Sequence, residues 1–148
     1  MTQPNRETVR DALATLLSTR LVTTDATVQV VYNYRKGDLA GLSPVVCVSS
    51  AGSRRERIDF TGTRQNIVRL TVHVFVVYAA SGWTEAQAED RLDAIEAAIA
   101  DVVNANSGPG SDWLAMDYDG DSARGDIVLG GDDYIMEAIP VAAQVAFG

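Results

Sequence analysis

One cysteine, one histidine and four prolines are all that this 148-residue chain holds of three residue types that often carry site chemistry or fix chain geometry. With Cys47 alone, an internal disulfide is excluded, which fits a reducing compartment at synthesis or no dependence on redox state. A metal set or a histidine-based triad at His73 would need Cys47 and carboxylates brought beside it by the fold. No apolar run reaches the roughly 18 residues that a helix needs to cross a bilayer, so no membrane span is expected. The opening "MTQPNRETVRDALATLL" lacks the apolar stretch of a secretory signal, and none is expected. Neither "GxGxxG" after a strand nor "GxxxxGK[ST]" occurs, so nothing predicts a phosphate cradle. Positive charge is also short: 12 Lys and Arg against 20 Asp and Glu, a net charge of −8. So acidic a chain repels phosphates over its surface as a whole and does not grip nucleic acid broadly.

What is present reads as one domain, 1–148, with 47% apolar and 22% charged residues and enough length for a real core. Val9, Leu13, Leu16 and Leu17 recur at helical spacing, and Pro4 stands near the start, where a missing N–H costs little. "TTDAT" ends that helix. "VQVVYNY" follows as a strand with Val28, Val30, Tyr32 and Tyr34 on one side. "RKGDLAGLSP" is a turn-rich loop and "VVCVSS" a short strand. "AGSRRERIDFTGTRQN" is a charged connection. The strongest strand is 67–78. Val68, Leu70, Val72, Val74, Val76 and Tyr78 form its apolar face, and Ile67, Arg69, Thr71, His73, Phe75 and Val77 its mixed one. That pattern predicts an antiparallel sheet covered on one side.

The cover follows in the chain. "TEAQAEDRLDAIEAAIADVVNA" opens with a capping box, Thr84 with Gln87, and carries the stripe Ala88, Leu92, Ile95, Ile99 and Val102. Asp93, Glu96 and Asp101 read as its solvent face. After "NANSGPGSD" come a short apolar piece, "WLAM", an acidic stretch and a hairpin turning at Gly130 and Gly131. The final strand places Ile135, Ile139, Val141, Ala143, Val145 and Phe147 on one face. Glu137 is the exception there, and Pro140 argues for an edge position or a bulge. The expected fold is α+β, a mostly antiparallel sheet with two helices packed on one face.

The acidic stretch, "DYDGDSARGD" at 117–126, poses the one metal question. Counted from Asp117, a calcium loop of the EF-hand type wants glycine sixth and a bidentate glutamate twelfth; Ser122 and Val128 stand there instead. Asp117, Asp119, Asp121 and Asp126 therefore read as a solvated acidic turn between strands. The Arg124-Gly125-Asp126 tripeptide is of chance-level occurrence. His73 reads as a sheet histidine with a local hydrogen bond, and Cys47 as a small buried hydrophobe. No catalytic, cofactor-binding or metal-binding residue emerges. Charge is distributed unevenly, however. Arg54, Arg55, Arg57 and Arg64 cluster in one hairpin, while acid dominates elsewhere, Asp112, Asp132 and Asp133 included. A positive hairpin and a negative region suit head-to-tail association; equally, a charged hairpin tip is simply soluble.

The layout as a whole resembles the tail terminator (tail completion) proteins of long-tailed bacteriophages. An N-terminal helix leads to a loop ending in "SPVVCVSS", then the arginine-bearing hairpin and the long strand "IVRLTVHVFVVYA". The helix "AEDRLDAIEAAIADVV" and a last hairpin complete it. The resemblance spans essentially the whole chain, through a pattern of elements and no invariant catalytic signature. It implies a non-enzymatic virion protein without cofactor, made in the host cytoplasm and placed in the tail neck. Such a protein forms a hexameric ring that caps the tail tube, stops its polymerisation and meets a head-completion or connector protein. DNA passes through the ring without specific binding. Six copies would carry on the order of −50 formal charge, enough to keep a duplex from sticking to a channel wall. On that reading Arg54, Arg55, Arg57 and Arg64 are candidate interface residues, and Asp117, Asp119, Asp121 and Asp126 candidate lumen or interface residues. Another neck component and a stand-alone ligand-binding or enzymatic domain are the alternatives.

Overall fold

The computed structural model describes residues 5–57, 64–77, 82–110 and 112–146. Two helices, α1 (Arg6–Ser18) and α2 (Glu85–Ala105), lie against six strands. The strands are β1 (Val30–Tyr32), β2 (Val45–Arg57), β3 (Arg64–Val77), β4 (Ala115–Tyr118), β5 (Ala123–Leu129) and β6 (Asp132–Ala146). They form one sheet in the order β1-β2-β3-β6-β4, with β5 also on β6. Among the described residues, only β1 and β2 run parallel; the other pairs are antiparallel. This is the α+β fold that the hydrophobic periods call for.

Helix α1 is capped by Asn5, whose Oδ1 accepts the Thr8 N–H at 2.9 Å, and Pro4 lies outside the described residues. Past Ser18 it loosens into a π-helical stretch, Thr19–Thr24, which keeps Leu21 buried and ends within "TTDAT", as expected. Helix α2 begins with both halves of the Thr84–Gln87 capping box, at 2.9 and 3.1 Å. Its buried stripe contains all five expected residues, joined by Ala98 and Val103. Against these helices pack Val68, Leu70, Val72, Val74 and Val76 of β3 and Ile139, Val141, Ala143 and Val145 of β6. At about 1.5–3 kcal/mol for each fully buried large aliphatic chain, this layer dominates the stability of the fold. Tyr78 and Phe147, expected on the same faces, lie outside the described residues.

Three expectations are corrected. The strand expected at 28–34 is only three residues long, because Val28 turns into the core instead of alternating along a sheet. The opposite sheet face is not left bare along its whole length. Leu39, from the loop after β1, packs there with Val45, Cys47, Phe75, Val77 and Tyr134 as a second small core. Finally, the charged connection is largely strand: β2 runs on to Arg57 and β3 starts at Arg64, so only 58–63 lie outside the described residues.

Pro140 is not at an edge either, since β6 is flanked by β3 on one side and by β4 and β5 on the other. The Pro140 carbonyl accepts the Asp119 N–H at 2.9 Å, so its backbone polar groups face the outer strands. Proline has no N–H to give there, and the outer strand breaks at that point. Tyr118 pairs with Val141 and Ala123 with Ala138, so Asp119 to Ser122 bow out opposite Ile139 and Pro140. β4 and β5 are two halves of one strand, interrupted where β6 cannot donate.

Candidate interaction surfaces

Paired registers set the side of the sheet on which each charge stands, because residues directly opposite share a face. Arg54 pairs with Ile67 and Arg55 with Asn66, so the two exposed arginines flank β2 on opposite faces. Arg57 and Arg64 are backbone partners in the last described pair of β2 and β3. A bulge between Ser50 and Gly52 sets this register. Gly52 has φ +133°, which a side chain would oppose. β1 covers only Val45 to Cys47 of β2. Among the described residues, β2 from Val48 onward is a sheet edge.

The aspartates occupy the other edge. Asp117 pairs with Ala142 in β4, its Oδ1 accepting the Tyr118 N–H at 2.7 Å. Asp119 lies 3.4 Å from Arg69 Nε, Asp121 is in the bowed segment and Asp126 pairs with Ile135 in β5. Asp117 and Asp126 lie in strands and Asp119 and Asp121 in the bowed segment between them, so the four carboxylates are spread along the edge. Among the described residues, no group of three or more His, Cys, Asp or Glu is placed to hold a metal ion. Two exposed apolar side chains, Leu114 and Val128, frame this acidic edge.

Some of the electrostatics here is not evident in the sequence. Arg124 does not present the tripeptide in a free loop; it sits in β5 and reaches Glu89 of α2 at 2.7 Å. This hydrogen bond holds the Glu89 carboxyl below its ordinary range. Arg124 also pairs in register with Glu137, the buried carboxylate on the helix-covered face. Glu96 is half-buried and not simply on the solvent face of α2. Burial, then the charges of Glu137 and Asp93, push its carboxyl up. The Tyr118 hydroxyl nearby is buried without a hydrogen-bond partner, and burial is the main cause of its raised pKa. The periodic exception at Glu137 was the one sequence signal for this acidic group.

Cys47 and His73 face each other across β2 and β3. Cys47 is fully buried, as expected. Burial pushes its thiol up, against weaker opposing effects from the Lys36 backbone and the Arg35 and Lys36 charges. A thiol kept protonated is a poor nucleophile. The local hydrogen bond expected of His73 is not made at Nδ1, which is buried without a partner. The ring instead stacks on Phe75 at 5.9 Å and 8°, and Phe75 carries the Arg35 guanidinium 4.5 Å above its ring. Burial first, and Arg35 second, lower the His73 pKa.

A groove of about 430 Å³ runs between α1 and the segment after α2, past Ala12, Leu16, Pro109 and Trp113. The Trp113 indole is anchored, donating to the Asn106 carbonyl at 2.8 Å. Among the described residues, no helix is long and apolar enough to cross a membrane.

No protein-family model matches this chain, and no curated protein does. The candidate surfaces therefore rest on their own geometry: a basic sheet edge on one side and an acidic one on the other.

Proposed function

We infer that this chain is a structural protein of a phage or phage-like tail. It assembles into a ring of like copies that caps the tail tube, ends its polymerisation and joins it to the head connector. One observation carries the reading: opposite charges stand on opposite sides of a single sheet, Arg54 and Arg55 on β2, and Asp117 on β4 with Asp119 just after it. A surface whose two ends complement each other suits copies joined head to tail, and such contacts close into rings when the rotation allows. The α+β layout with a long strand feeding directly into the covering helix supports the tail terminator resemblance in particular. The tail tube protein and a head-completion or connector protein are the partners this function requires, with DNA passing through unheld. The site is the virion neck, and no catalysis is part of the role.

The acidic balance of the chain favours the same reading, since a wall of negative charge lets a duplex slide. Electron microscopy of tails carrying a gold-labelled copy of the chain tests the proposal. Label at the head-proximal end of the tube is expected. Label on the head vertex would place the chain among the other neck components, and tails without label would overturn the reading.

A further inference from the structure

The structure assigns a two-fold contact between copies: β5 of one copy pairs antiparallel with β5 of another, about an axis at Gly125. It goes beyond the ring reading. A two-fold contact closes on itself and cannot run head to tail, so the pair is a separate assembly of the same chain. The Leu114 N–H donates to the Gln144 carbonyl at 2.8 Å and the Asp119 N–H to the Pro140 carbonyl at 2.9 Å. Even-numbered residues of β6 therefore turn their polar groups toward the outer strands. Their partners in β5 are Ala123, Gly125, Ile127 and Leu129, whose N–H and C=O groups are taken up by β6. Arg124, Asp126 and Val128 turn theirs outward. None of these outward groups has a hydrogen-bond partner among the described residues. β4 differs, because its outward Met116 and Tyr118 N–H groups are bound to the Ser107 carbonyl and to Asp117 Oδ1. The side chains of the three outward residues of β5 are exposed as well. An edge of this kind is a template for a further strand.

The residues of β5 name the occupant. In antiparallel pairing, outward residues must meet outward residues, because each such pair exchanges its N–H and C=O groups directly. With Gly125 opposite Gly125, Arg124 of each copy stands opposite Asp126 of the other, and both pairs meet that requirement. Residues opposite each other share a face, so both ion pairs lie on the helix-covered side. The helix layers of the two copies then stay on one side of a continuous sheet. On the other face Ala123 meets Ile127. The Arg124 Nη2 donates to Glu89, leaving the other guanidinium N–H groups for the carboxylate opposite.

Charge selects this register over its rivals. Moved by one residue, outward groups would meet residues whose groups β6 has already taken. Moved by two, either Arg124 would face Arg124 or Asp126 would face Asp126. Moved by four, Asp126 would face the apolar Val128, and moved as far the other way the strands scarcely overlap. Charged side chains on an edge discourage indiscriminate pairing. A foreign strand would need a basic and an acidic residue in the same order and spacing; a second copy supplies them.

Disulfide trapping tests it. At the axis, Gly125 opposes Gly125 at a site without ladder hydrogen bonds, where Cα atoms are about 4.5 Å apart, within the reach of a disulfide. A Cβ added at Gly125 meets nothing within 4 Å, so G125C fits the strand. Cys47 is fully buried and does not compete. V128C is the control, an exposed position that lies far from its counterpart across the axis. Under mild oxidation G125C is expected to form a covalent dimer roughly tenfold faster than V128C. D126R, added to both variants, sets arginine against arginine and is expected to erase that advantage. G125C that cross-links no faster than V128C, or an advantage that D126R leaves intact, would overturn the contact. The unmodified chain supplies a check free of mutation: the Arg124, Asp126 and Val128 amides should exchange with solvent more slowly as concentration rises. Amides that exchange at one rate throughout would overturn it as well. The mass of the native assembly reports the head-to-tail contact separately, so the ring reading stands or falls on its own.

Discussion

Arg124 of β5 donates to Glu89 of α2 at 2.7 Å, tying the outer strand to the helix that covers the sheet. Both side chains are close to half exposed, so the pair belongs to the class whose energies are small and screened by salt. Its signature is in pH. Glu89 has a lowered pKa in the folded state, so its contribution is present above the unfolded pKa and fades as pH falls through the folded one. Melting curves of the unmodified chain and of R124Q, taken from neutral to acid pH at low salt, should differ at neutral pH and converge at the acid end. A difference independent of pH would contradict the pairing.

His73 offers a cleaner titration because it is the only histidine. Burial and the Arg35 charge disfavour its protonated form. The folded pKa is depressed, so stability is held above the unfolded pKa and declines as pH falls below it. Its imidazole resonances, followed by NMR, should titrate with a midpoint below that of a free histidine. A midpoint at or above the free value would mean that His73 has an acceptor partner.

The core layer predicts a larger effect. Ile95 is fully buried in the stripe of α2 that faces the sheet. I95A should destabilise the chain by about 2–5 kcal/mol in urea unfolding, through lost burial and an unfilled cavity. A loss under about 1 kcal/mol would show that α2 does not pack as described.

Calcium should do nothing specific. Asp117, Asp119 and Asp121 run along an edge, and Asp119 already faces Arg69 at 3.4 Å. A ligand that binds the folded state raises the melting temperature with its concentration. Millimolar calcium, against a chelator control at matched ionic strength, should leave the melting temperature unchanged; a rise that saturates would reveal a site.

Much of this fold was legible in the sequence because it rests on simple periods. The two-residue alternation through Val68 to Val76, and the 3.6-residue stripe from Ala88 to Val102 behind its capping box, each name the buried face directly. Long-range register was not legible. Nothing local in "AGSRRER" says that a strand continues through it, because the pairing that holds Arg54 and Arg55 comes from β3. The bowed aspartates similarly depend on Pro140, 18 or more residues away in sequence yet directly opposite in the sheet. Of the candidate site, the segregation of charge was visible in the sequence. That the two signs occupy opposite sheet edges, and that Arg69 and Arg124 engage Asp119 and Glu89 within the chain, required the topology.

The most direct test of the whole account is the mass of the native particle. Native mass spectrometry at tens of micromolar and low salt should find a closed assembly at six times the 15.8 kDa chain mass, dissociating as salt is raised. A spectrum holding only the 15.8 kDa species under those conditions would contradict it.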